Sequence, residues 1–548
     1  MDEWRSATSS DDWWRGAVIY QVYVRSFADG NGDGTGDLAG VRDRLVYLHD
    51  LGVDAIWFNP FYVSPLADGG YDVADYRAID PAFGTLVEAE QLIAEARTLG
   101  IRTIVDIVPN HVSDQHPWFR QALAAGPGSP ERARFWFHRG RGANGEIAPT
   151  RWVSNFQGTA WTRTTAADGA PGEWYLHLFT PEQPDLNWDH PDVRREHEEI
   201  LRFWFDRGMT KVRIDSAALL VKDRALPEVP ENPGPGEHPH VDRDDLHEVY
   251  RSWRAIADSY DGTRILVGEV WLDDAERFAR YLRPDEMHTA FNFDFMARPW
   301  AAEDLRRSIM ATLDAHRPVG APATWVLSNH DVTRPVTRYG RADTSFAFDA
   351  KRSGTPTDLA LGVRRARAAA VLVAALPGSL YVYQGDELGL PEVEDLPAGA
   401  IQDPMHFRSH GVDPGRDGCR VPLPWSGMSS PFGFSPVGAS SAPWLPQPDD
   451  WADRTVEVQE ADPTSMLRLY REAFAIRRTE PGLGDGPMQW IETDHDVLAF
   501  ARGPQFACVV NLGENPVDLP RHAGVLLASG ELTQGRLPRD VAVWLRLH

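Results

Sequence analysis

The stretch LVEAEQLIAEARTLGIRTIVDIVPNH (residues 86–111) shows the unit from which the fold is built. Its first half places apolar residues at helical spacing and ends at Gly100, a residue type that is common just after a helix. Its second half, 101–111, is a short run rich in Ile and Val that ends in polar residues, which is typical of a buried strand. We therefore predict a helix followed by a parallel strand.

Seven further segments of the same kind lie on either side of this unit, several of them separated by helical patterns. Eight buried strands that alternate with helices predict an α/β fold of the (β/α)8 TIM barrel class. The seven segments are AVIYQVYV (17–24), DAIWFNP (54–60), KVRID (211–215), TRILVGEVW (263–271), HTAFNFDF (288–295), TWVLSNHD (324–331) and SLYVYQGDE (379–387).

The spacing of the strands predicts two further parts of the chain. Roughly a hundred residues separate the third strand from the fourth, and this stretch is rich in Gly, Pro and Trp, which indicates a small inserted domain. After about residue 470, short strand-like segments such as VLAFARG and FACVVNL follow one another without a helical pattern, which indicates a C-terminal antiparallel β domain. The predicted bounds are 1–111 and 191–470 for the barrel, 112–190 for the inserted domain and 471–548 for the β domain.

Composition and charge exclude several classes of function. A net charge of -25 argues against a nucleic-acid partner, which needs a basic face. Cys419 and Cys508 are the only cysteines, so neither a disulfide framework nor a cysteine metal site is expected. No apolar run approaches the roughly 20 residues of a membrane span, and the polar N-terminus lacks a secretory pattern. We expect a cytoplasmic monomer or homodimer without a membrane partner.

Two carboxylic acids stand where predicted strands end, at the face on which barrels of this class place their active sites. Residues two apart on a strand point the same way, so Arg213 and Asp215 share a face. The Arg favours the charged form of the Asp by lowering its pKa. A structural ion pair explains this pattern about as well as a nucleophile does. Glu269 follows the apolar run LVG, and an apolar setting raises the pKa of a carboxyl group, as a general acid requires.

His111, His330 and Asp331 follow the third and seventh predicted strands. A lone His is more often a satisfied core or loop residue than a catalytic one. Two His among three carboxylates at one end of a barrel favour an active site instead. Two carboxylates in different environments, surrounded by hydrogen-bond donors, are typical of glycoside hydrolysis. No glycine-rich phosphate loop or Cys/His metal motif competes with this interpretation.

Several motifs, in their order along the chain, resemble those of the α-amylase superfamily. DIVPNH, VRIDSA, GEVW and SNHD are similar to its four signatures, and QPDLN (183–187) is similar to a further one. YQVYVRSFADGNGDGTGDLAG, GGYDVADYRAIDPAFGT and GRDGCRVPLPW resemble the α-glucosidase and oligo-1,6-glucosidase branch. The resemblance spans most of residues 13–480, and the ordered set is much more specific than any one motif.

The resemblance implies a retaining, exo-acting α-glucosidase that hydrolyses small oligosaccharides or α-glucosides through a covalent glucosyl-enzyme. Asp215 would be the nucleophile, Glu269 the general acid/base, and Asp331 the group that stabilises the transition state. Asp72 and Arg420 would form a charged pair that closes the pocket around one terminal glucose. The substrate-binding residues implied by the resemblance are Tyr71, Asp72, His111, Phe179, Arg213, His330 and Arg420.

The resemblance also implies a structural divalent cation in the loop that contains Asp29, Asn31, Asp33 and Asp37. Oxygen ligands at alternate positions among glycines suit calcium, with magnesium as the alternative. From the residues alone, a turn-rich connector is an equally good interpretation, because Asp, Asn and Gly also form plain turns. No organic cofactor is expected.

Two alternatives use the same fold. A transglucosylase or a sucrose or maltose isomerase would employ the same carboxylates with a sugar as acceptor. A non-catalytic relative would have lost catalytic carboxylates, whereas all three are present here. The sequence departs from the branch at Lys211, where a Gly is common, at Ser216 after the nucleophile, at APTRW (148–152) and at Pro335. The smaller, polar Ser216 favours α-1,4 bonds, whereas QPDLN accompanies α-1,6 activity. Giving Ser216 more weight, we predict faster cleavage of maltose-type α-1,4 bonds, or of α-glucosides with a small aglycone, than of isomaltose.

Overall fold

The eight predicted strands all form and build one barrel in the computed structural model, which describes residues 12–166 and 168–548. Predictions that fall on residues 1–11, including the start of the first barrel segment and most of the polar N-terminal pattern, lie outside the described residues. The barrel strands are β1 (Val18–Val22), β2 (Ala55–Phe58), β3 (Arg102–Ile107), β4 (Lys211–Ile214), β5 (Ile265–Gly268), β6 (Thr289–Ala290), β7 (Thr324–Val326) and β8 (Ser379–Tyr383).

The barrel strands are parallel and follow the order β6-β5-β4-β3-β2-β1-β8-β7. β4 lies between β3 and β5, with Ile214 in register with Ile107 on one side and with Gly268 on the other. The seam between β6 and β7 is closed by the backbone N–H of Asn292, which donates to the carbonyl oxygen of Thr324 at 3.0 Å. The predicted TIM barrel is therefore confirmed.

Helices cover the outside of the barrel. In α3, Thr85 and Glu88 form a reciprocal capping box, which stabilises the start of the helix. Gly100 follows its end with φ +74°, the left-handed conformation that Gly adopts without strain. The helices are α1 (Leu38–Asp43), α2 (Leu45–Leu51), α3 (Leu86–Thr98), α4 (Pro117–Ala125), α5 (Pro191–Asp206), α6 (His247–Asp258), α7 (Ala275–Arg280), α8 (Phe293–Ala297), α9 (Ala302–His316), α10 (Pro335–Tyr339), α11 (Leu359–Ala375), α12 (Pro404–Arg408), α13 (Val456–Ala461) and α14 (Met466–Thr479).

A small antiparallel sheet lies between β3 and α5, within the predicted insertion. Its central strand, Pro171–Leu176, pairs with Phe137–His138 on one side and Trp161–Thr165 on the other. An apolar cluster that includes Trp136, Trp152 and Trp161 packs within this region. A separate two-stranded hairpin, Tyr62–Val63 with Asp75–Ile79, follows β2. The bounds 112–190 stay predictions.

The C-terminal antiparallel sheet is also confirmed. It has the order β9-β10-β11-β13-β12 and packs on α11, where Trp544 donates its indole N–H to the carbonyl of Val371 at 3.1 Å. The predicted bound at residue 470 falls inside α14, so a continuous helix crosses it. The strands are β9 (Gln489–Trp490), β10 (Val497–Arg502), β11 (Phe506–Asn511), β12 (Gly524–Ala528) and β13 (Val541–Arg546).

An apolar cluster occupies part of the barrel interior, below the ends of the strands that carry the polar site residues. Ile19, Trp57, Ile104, Val267 and Tyr381 form the centre of this internal cluster. Side chains that follow the last residue of each strand are therefore lifted above a packed floor. Across residues 12–166 and 168–548, no helix is both long and apolar enough to cross a membrane.

Candidate active site

The ends of β4 and β5 place two carboxylates side by side. Asp215 and Glu269 are the first residues after these strands. The backbone N–H of Asp215 donates to the carbonyl of Ile107, and that of Glu269 donates to the carbonyl of Ile214, both at 2.9 Å. The parallel ladder thus continues by one residue on each strand and fixes where both side chains emerge.

One guanidinium group links these carboxylates from below. Nη1 of Arg213 lies 2.7 Å from Oδ1 of Asp215, and Nη2 lies 2.8 Å from Oε2 of Glu269. Arg213 also contacts Asp106 at 3.0 Å and is fully buried. Asp106 also accepts hydrogen bonds from Trp57 and Tyr71, and burial raises the pKa of its carboxyl group to about 8. Arg213 therefore holds the two carboxylates together by electrostatic attraction from below and does not line the cavity.

Burial shifts the pKa of both carboxyl groups upwards. Burial raises the pKa of Glu269 to about 7, although Arg213 opposes the shift. Burial also raises the pKa of Asp215 above its ordinary value, again against the effect of Arg213. The expected lowering of the Asp215 pKa is thus wrong in its net direction, because desolvation outweighs the neighbouring positive charge. The high pKa expected for Glu269 is confirmed.

Glu269 is held in place by two donors on the cavity side. The backbone N–H of Ser216 donates to its Oε2 at 2.9 Å, and the indole N–H of Trp271 donates to its Oε1 at 3.1 Å. Ser216 has φ +47°, a left-handed conformation that is uncommon for residues other than Gly. This turn directs the N–H of Ser216 towards Glu269 immediately after Asp215.

Asp331 is surrounded by positive and polar groups. Its Oδ1 accepts from Arg420 at 2.9 Å and from Arg416 at 3.1 Å, and its Oδ2 lies 3.3 Å from Nε2 of His330. Burial alone would raise the pKa of Asp331, but His330, Arg416 and Arg420 together lower it below its ordinary value. Asp331 therefore stays negatively charged over the whole range of pH in which the protein is expected to work.

A cavity of about 400 Å³ opens above these residues, a size typical of small-molecule sites. It brings together most of the catalytic and substrate-binding residues predicted from the sequence, and Arg213 lies just beneath it. The predicted residues that line the cavity are Tyr71, His111, Phe179, Asp215, Glu269, His330 and Asp331.

Histidines and aromatic rings form one wall of the cavity. The ring of Tyr71 stacks on that of His330, with centroids 5.2 Å apart, and Phe179 packs on His111 at 4.9 Å. The side-chain amide of Gln183 lies 3.0 Å from Nε2 of His111. Burial lowers the pKa of His111 to about 4 and that of His330 well below its ordinary value. Both imidazoles are therefore neutral groups that can hydrogen-bond a substrate hydroxyl.

The expected pair of Asp72 and Arg420 does not form. Asp72 is fully buried and accepts hydrogen bonds from the backbone N–H groups of Ala67 and Asp68, at 2.9 and 3.0 Å, so it stabilises its own turn. Arg420 donates to the backbone carbonyl of His330 and to Asp331. Neither residue lines the cavity.

Asp68 and Arg416 occupy the place expected for that pair. Nη2 of Arg416 lies 2.6 Å from Oδ1 of Asp68, and both residues line the cavity. The turn between Asp68 and Tyr71 contains two glycines with positive φ, Gly69 at +58° and Gly70 at +107°. This turn brings Asp68 to the cavity wall beside Tyr71 and leaves Asp72 behind it.

Several cavity residues were missed by the sequence analysis. Arg416 stands four residues before Arg420 in the quoted motif GRDGCR, and Asp68 stands directly before GGYD, so both were within reach of the sequence. The remaining residues lie in segments whose positions no local pattern indicates, namely loops and, for Met405, the short helix α12. They are Asn155, Phe156, Ala218, Leu219, Val241, Trp271, Phe348 and Met405.

Lys211 fits into the barrel without disturbing β4. It pairs in register with Ile104 and Ile265, and its side chain is fully buried below Arg213. Its Nζ has no hydrogen-bond partner and lies 5.2 Å from the centre of the Tyr381 ring. Burial lowers the pKa of Lys211 to about 7, because little around it compensates the charged form. The departure from Gly thus changes the barrel interior and not the strand.

The loop predicted to hold a cation is a tight turn bounded by two buried carboxylates. Asp29 accepts from the N–H groups of Gly32 and Gly34, at 2.6 and 2.9 Å. Asp37 caps α1 through the N–H of Gly40 at 2.6 Å and also accepts from Asn31 at 3.1 Å. Asp33 is exposed and accepts from the side chain of Asn31 at 3.1 Å. In the part of the chain that the structure describes, no three His, Cys, Asp or Glu side chains are grouped closely enough to hold a metal ion.

Comparisons with known proteins identify the family to which the chain belongs. The family described as "Alpha amylase, catalytic domain" matches residues 21–486. A probable alpha-glucosidase of Rhizobium meliloti (strain 1021) is 36% identical over 92% of this chain and 90% of its own length. A trehalose-6-phosphate hydrolase of Escherichia coli (strain K12) is 35% identical over 89% of this chain and 87% of its own.

A solved structure extends the similarity to the whole fold. The crystal structure of an alpha-glucosyl transfer enzyme has a TM-score of 0.84 and 32% identity, covering 98% of this chain and 99% of that one. The family match spans far more than half of the chain, and the relatives align with it almost from end to end. This enzyme therefore belongs to the α-amylase family of glycosidases.

Proposed function

We propose that this enzyme is a retaining, exo-acting α-glucosidase that hydrolyses short α-glucosides through a covalent glucosyl-enzyme. The observation that carries the proposal is the pair of Asp215 and Glu269, which follow adjacent barrel strands, share one guanidinium group and line the same cavity. Similarity to alpha-glucosidases supports the substrate class. A panel of α-linked disaccharides, assayed for released glucose, tests it.

The residues divide the reaction into two displacements. Asp215 attacks the anomeric carbon, while Glu269 donates its proton to the glycosidic oxygen as the bond to that oxygen breaks. Glu269, now a carboxylate, then takes a proton from water, and the water oxygen displaces Asp215. Both transition states carry positive charge on the sugar ring, and the permanently ionised Asp331 stabilises that charge.

The charged pair of Asp68 and Arg416 supports exo action. It sits on the same part of the cavity as Asp331, His111 and His330, where Arg416 also contacts Asp331. Charged groups form strong hydrogen bonds with hydroxyls, and a buried pair occupies the space that a preceding sugar would need. We infer that the non-reducing end of the substrate stops at this pair.

Replacing Asp68 with Asn is expected to lower kcat/KM for maltose about 100-fold, because a charged ligand of the terminal glucose is lost. Asp72→Asn is the matched control, since it neutralises the neighbouring carboxylate that caps its own turn. This control should lower Tm and have only a small effect on kcat/KM. Steady-state kinetics and thermal unfolding of both variants provide the measurement. If Asp72→Asn were the variant with the larger loss of kcat/KM, the original assignment of Asp72 to the pocket would be restored.

Transglucosylation is the alternative that a specific observation favours, because a solved relative of similar fold is an alpha-glucosyl transfer enzyme. The glucosyl-enzyme is the same in both reactions, and only the acceptor differs. Incubation with one oligosaccharide, with and without an added alcohol, separates the two by the ratio of glucose to transfer product. Isomerisation of sucrose or maltose would appear in the same assay as an isomeric disaccharide. The expected preference for α-1,4 bonds, the cytoplasmic location and the monomeric or homodimeric state stay predictions.

We propose that the loop of Asp29, Asn31, Asp33 and Asp37 binds a structural divalent cation, calcium or else magnesium. The donor set fits in its chemistry: a carboxylate can accept about four hydrogen bonds or ligands, and Asp29 accepts from two backbone N–H groups, so it retains acceptor capacity. Asp33 and Asn31 supply further oxygens from the exposed side of the loop. The cation would offset the negative charge of the loop and take no part in the chemistry.

Excess chelator is expected to lower Tm while leaving kcat nearly unchanged, because the loop is not part of the cavity wall. Asp33→Ala is the informative variant: Asp33 is exposed, whereas Asp29 and Asp37 also stabilise the turn itself. In this variant the difference in Tm between added calcium and added chelator should shrink. An unchanged Tm of the wild type in chelator, together with no metal by elemental analysis, would remove the proposal.

A further inference from the structure

The side of the cavity that receives the leaving group is apolar, and we infer that the preferred leaving group is an apolar alcohol rather than a sugar or a sugar phosphate. This inference rests on the proposed function, because it uses Glu269 as the acid that protonates the glycosidic oxygen. Groups that surround Glu269 on the cavity side therefore contact the leaving group. Three other charged residues of the cavity, Asp68, Arg416 and Asp331, form a separate, ion-paired cluster. Ser216, whose backbone N–H donates to Glu269, is a polar residue beside the acid, in surroundings that are mainly apolar.

Aromatic rings form the first wall next to Glu269. Trp271 donates its indole N–H to Glu269, so this ring lies directly beside the acid. It is stacked face to face on Phe293, with centroids 3.9 Å apart, and Phe348 packs against it edge-on at 4.7 Å. Phe348 lines the cavity and is 37% exposed, which leaves its ring available to a ligand. A rigid aromatic wall of this kind binds apolar or aromatic groups by contact area and ring packing.

Aliphatic side chains line a further part of the cavity. The backbone N–H of Ala217 donates to the carbonyl of Glu269 at 2.9 Å, which fixes the turn after Asp215 against β5. Leu219 continues this turn, and a hydrogen bond of 2.8 Å between the N–H of Asp242 and the carbonyl of Ala218 brings Val241 beside it. Ala218, Leu219 and Val241 all line the cavity. A sugar in this place would bury hydroxyl groups against carbon, which costs free energy unless they find partners.

The distribution of charge argues against a phosphorylated leaving group. Among the cavity-lining residues that the structure describes, Arg416 is the only Lys or Arg. Its guanidinium already contacts Asp68, Asp331 and Asp403, at 2.6, 3.1 and 2.6 Å. A phosphate needs an unpaired cation or several free N–H donors. This chain therefore differs in substrate from the relative named trehalose-6-phosphate hydrolase, despite 35% identity.

Methyl and benzyl α-glucosides test the inference, because their leaving alcohols are of similar acidity and differ mainly in apolar surface. The wild-type enzyme should hydrolyse the benzyl glucoside with kcat/KM about tenfold higher or more. Phe348→Ala should reduce that advantage about tenfold, measured as the ratio of kcat/KM for the benzyl and methyl glucosides within the variant. Phe407→Ala is the matched control, since Phe407 is exposed and does not line the cavity. It should change neither value.

The outcomes distinguish a failure of the inference about the leaving group from a failure of the proposed function. If maltose is hydrolysed but the benzyl glucoside is no better than the methyl glucoside, the inference is overturned and the proposed function stands. If trehalose 6-phosphate is hydrolysed faster than trehalose, the argument from charge is overturned as well. If no α-glucoside in the series is cleaved, the proposed function fails and the inference fails with it.

Discussion

Asp215→Asn is expected to reduce turnover by several orders of magnitude while the protein stays folded. Asn has nearly the shape of Asp and can still accept a hydrogen bond from Arg213, which lies 2.7 Å from the carboxylate. It is a very weak nucleophile, however, so the glucosyl-enzyme can no longer form. Values of kcat/KM for maltose and the melting curve of the variant provide the measurement.

Asp261→Asn is the matched control for this experiment, because it removes an exposed carboxylate. It should leave both activity and Tm close to the wild-type values. If Asp215→Asn kept more than about a tenth of the wild-type kcat/KM, the loss would correspond to only about 1.4 kcal/mol. A loss that small is incompatible with a nucleophile, and the assignment of Asp215 would be wrong.

Glu269→Gln is expected to lower kcat/KM about 10²- to 10⁴-fold and to remove one limb of the pH profile. The proton on Glu269 is needed for the first displacement, and burial raises the pKa of Glu269 to about 7. In the wild type, kcat/KM should therefore be high below this pH and fall as the pH rises through about 7. Gln cannot lose a proton in this range, so the basic limb should disappear.

The acidic limb gives a second, independent check. Burial also raises the pKa of Asp215, so wild-type activity should fall on acidification at a pH above the ordinary range of an Asp. This limb should persist in Glu269→Gln. If the basic limb persisted in that variant with unchanged position, a group other than Glu269 would be the acid, and the roles of the two carboxyl groups would need to be reassigned.

The barrel was predictable because its signals are local. Each strand belongs to a short, mostly apolar run that ends in polar residues, and the helix before β3 carries both a capping pattern and Gly100 at its end. Strand ends also place Asp215, Glu269 and Asp331 at one end of the barrel, so the main carboxylates follow from the strands alone.

The rest of the site depends on features that no spacing indicates. A turn through two glycines with positive φ places Asp68 at the cavity. Asp72, which the sequence analysis assigned to the pocket, instead accepts hydrogen bonds within that turn. The pKa of Asp215 is raised because the effect of burial outweighs the opposite effect of the adjacent Arg213. The apolar residues Trp271, Phe348 and Val241, which line the cavity, come from three separate loops.

The anomeric form of the first product tests the central claim most directly. Hydrolysis of an α-glucoside, followed by proton NMR before the released glucose equilibrates, separates the two mechanisms. Two displacements at the anomeric carbon, first by Asp215 and then by water, predict that α-glucose appears first and β-glucose only later. If β-glucose appeared first, water would have displaced the leaving group directly, and Asp215 could not be the nucleophile.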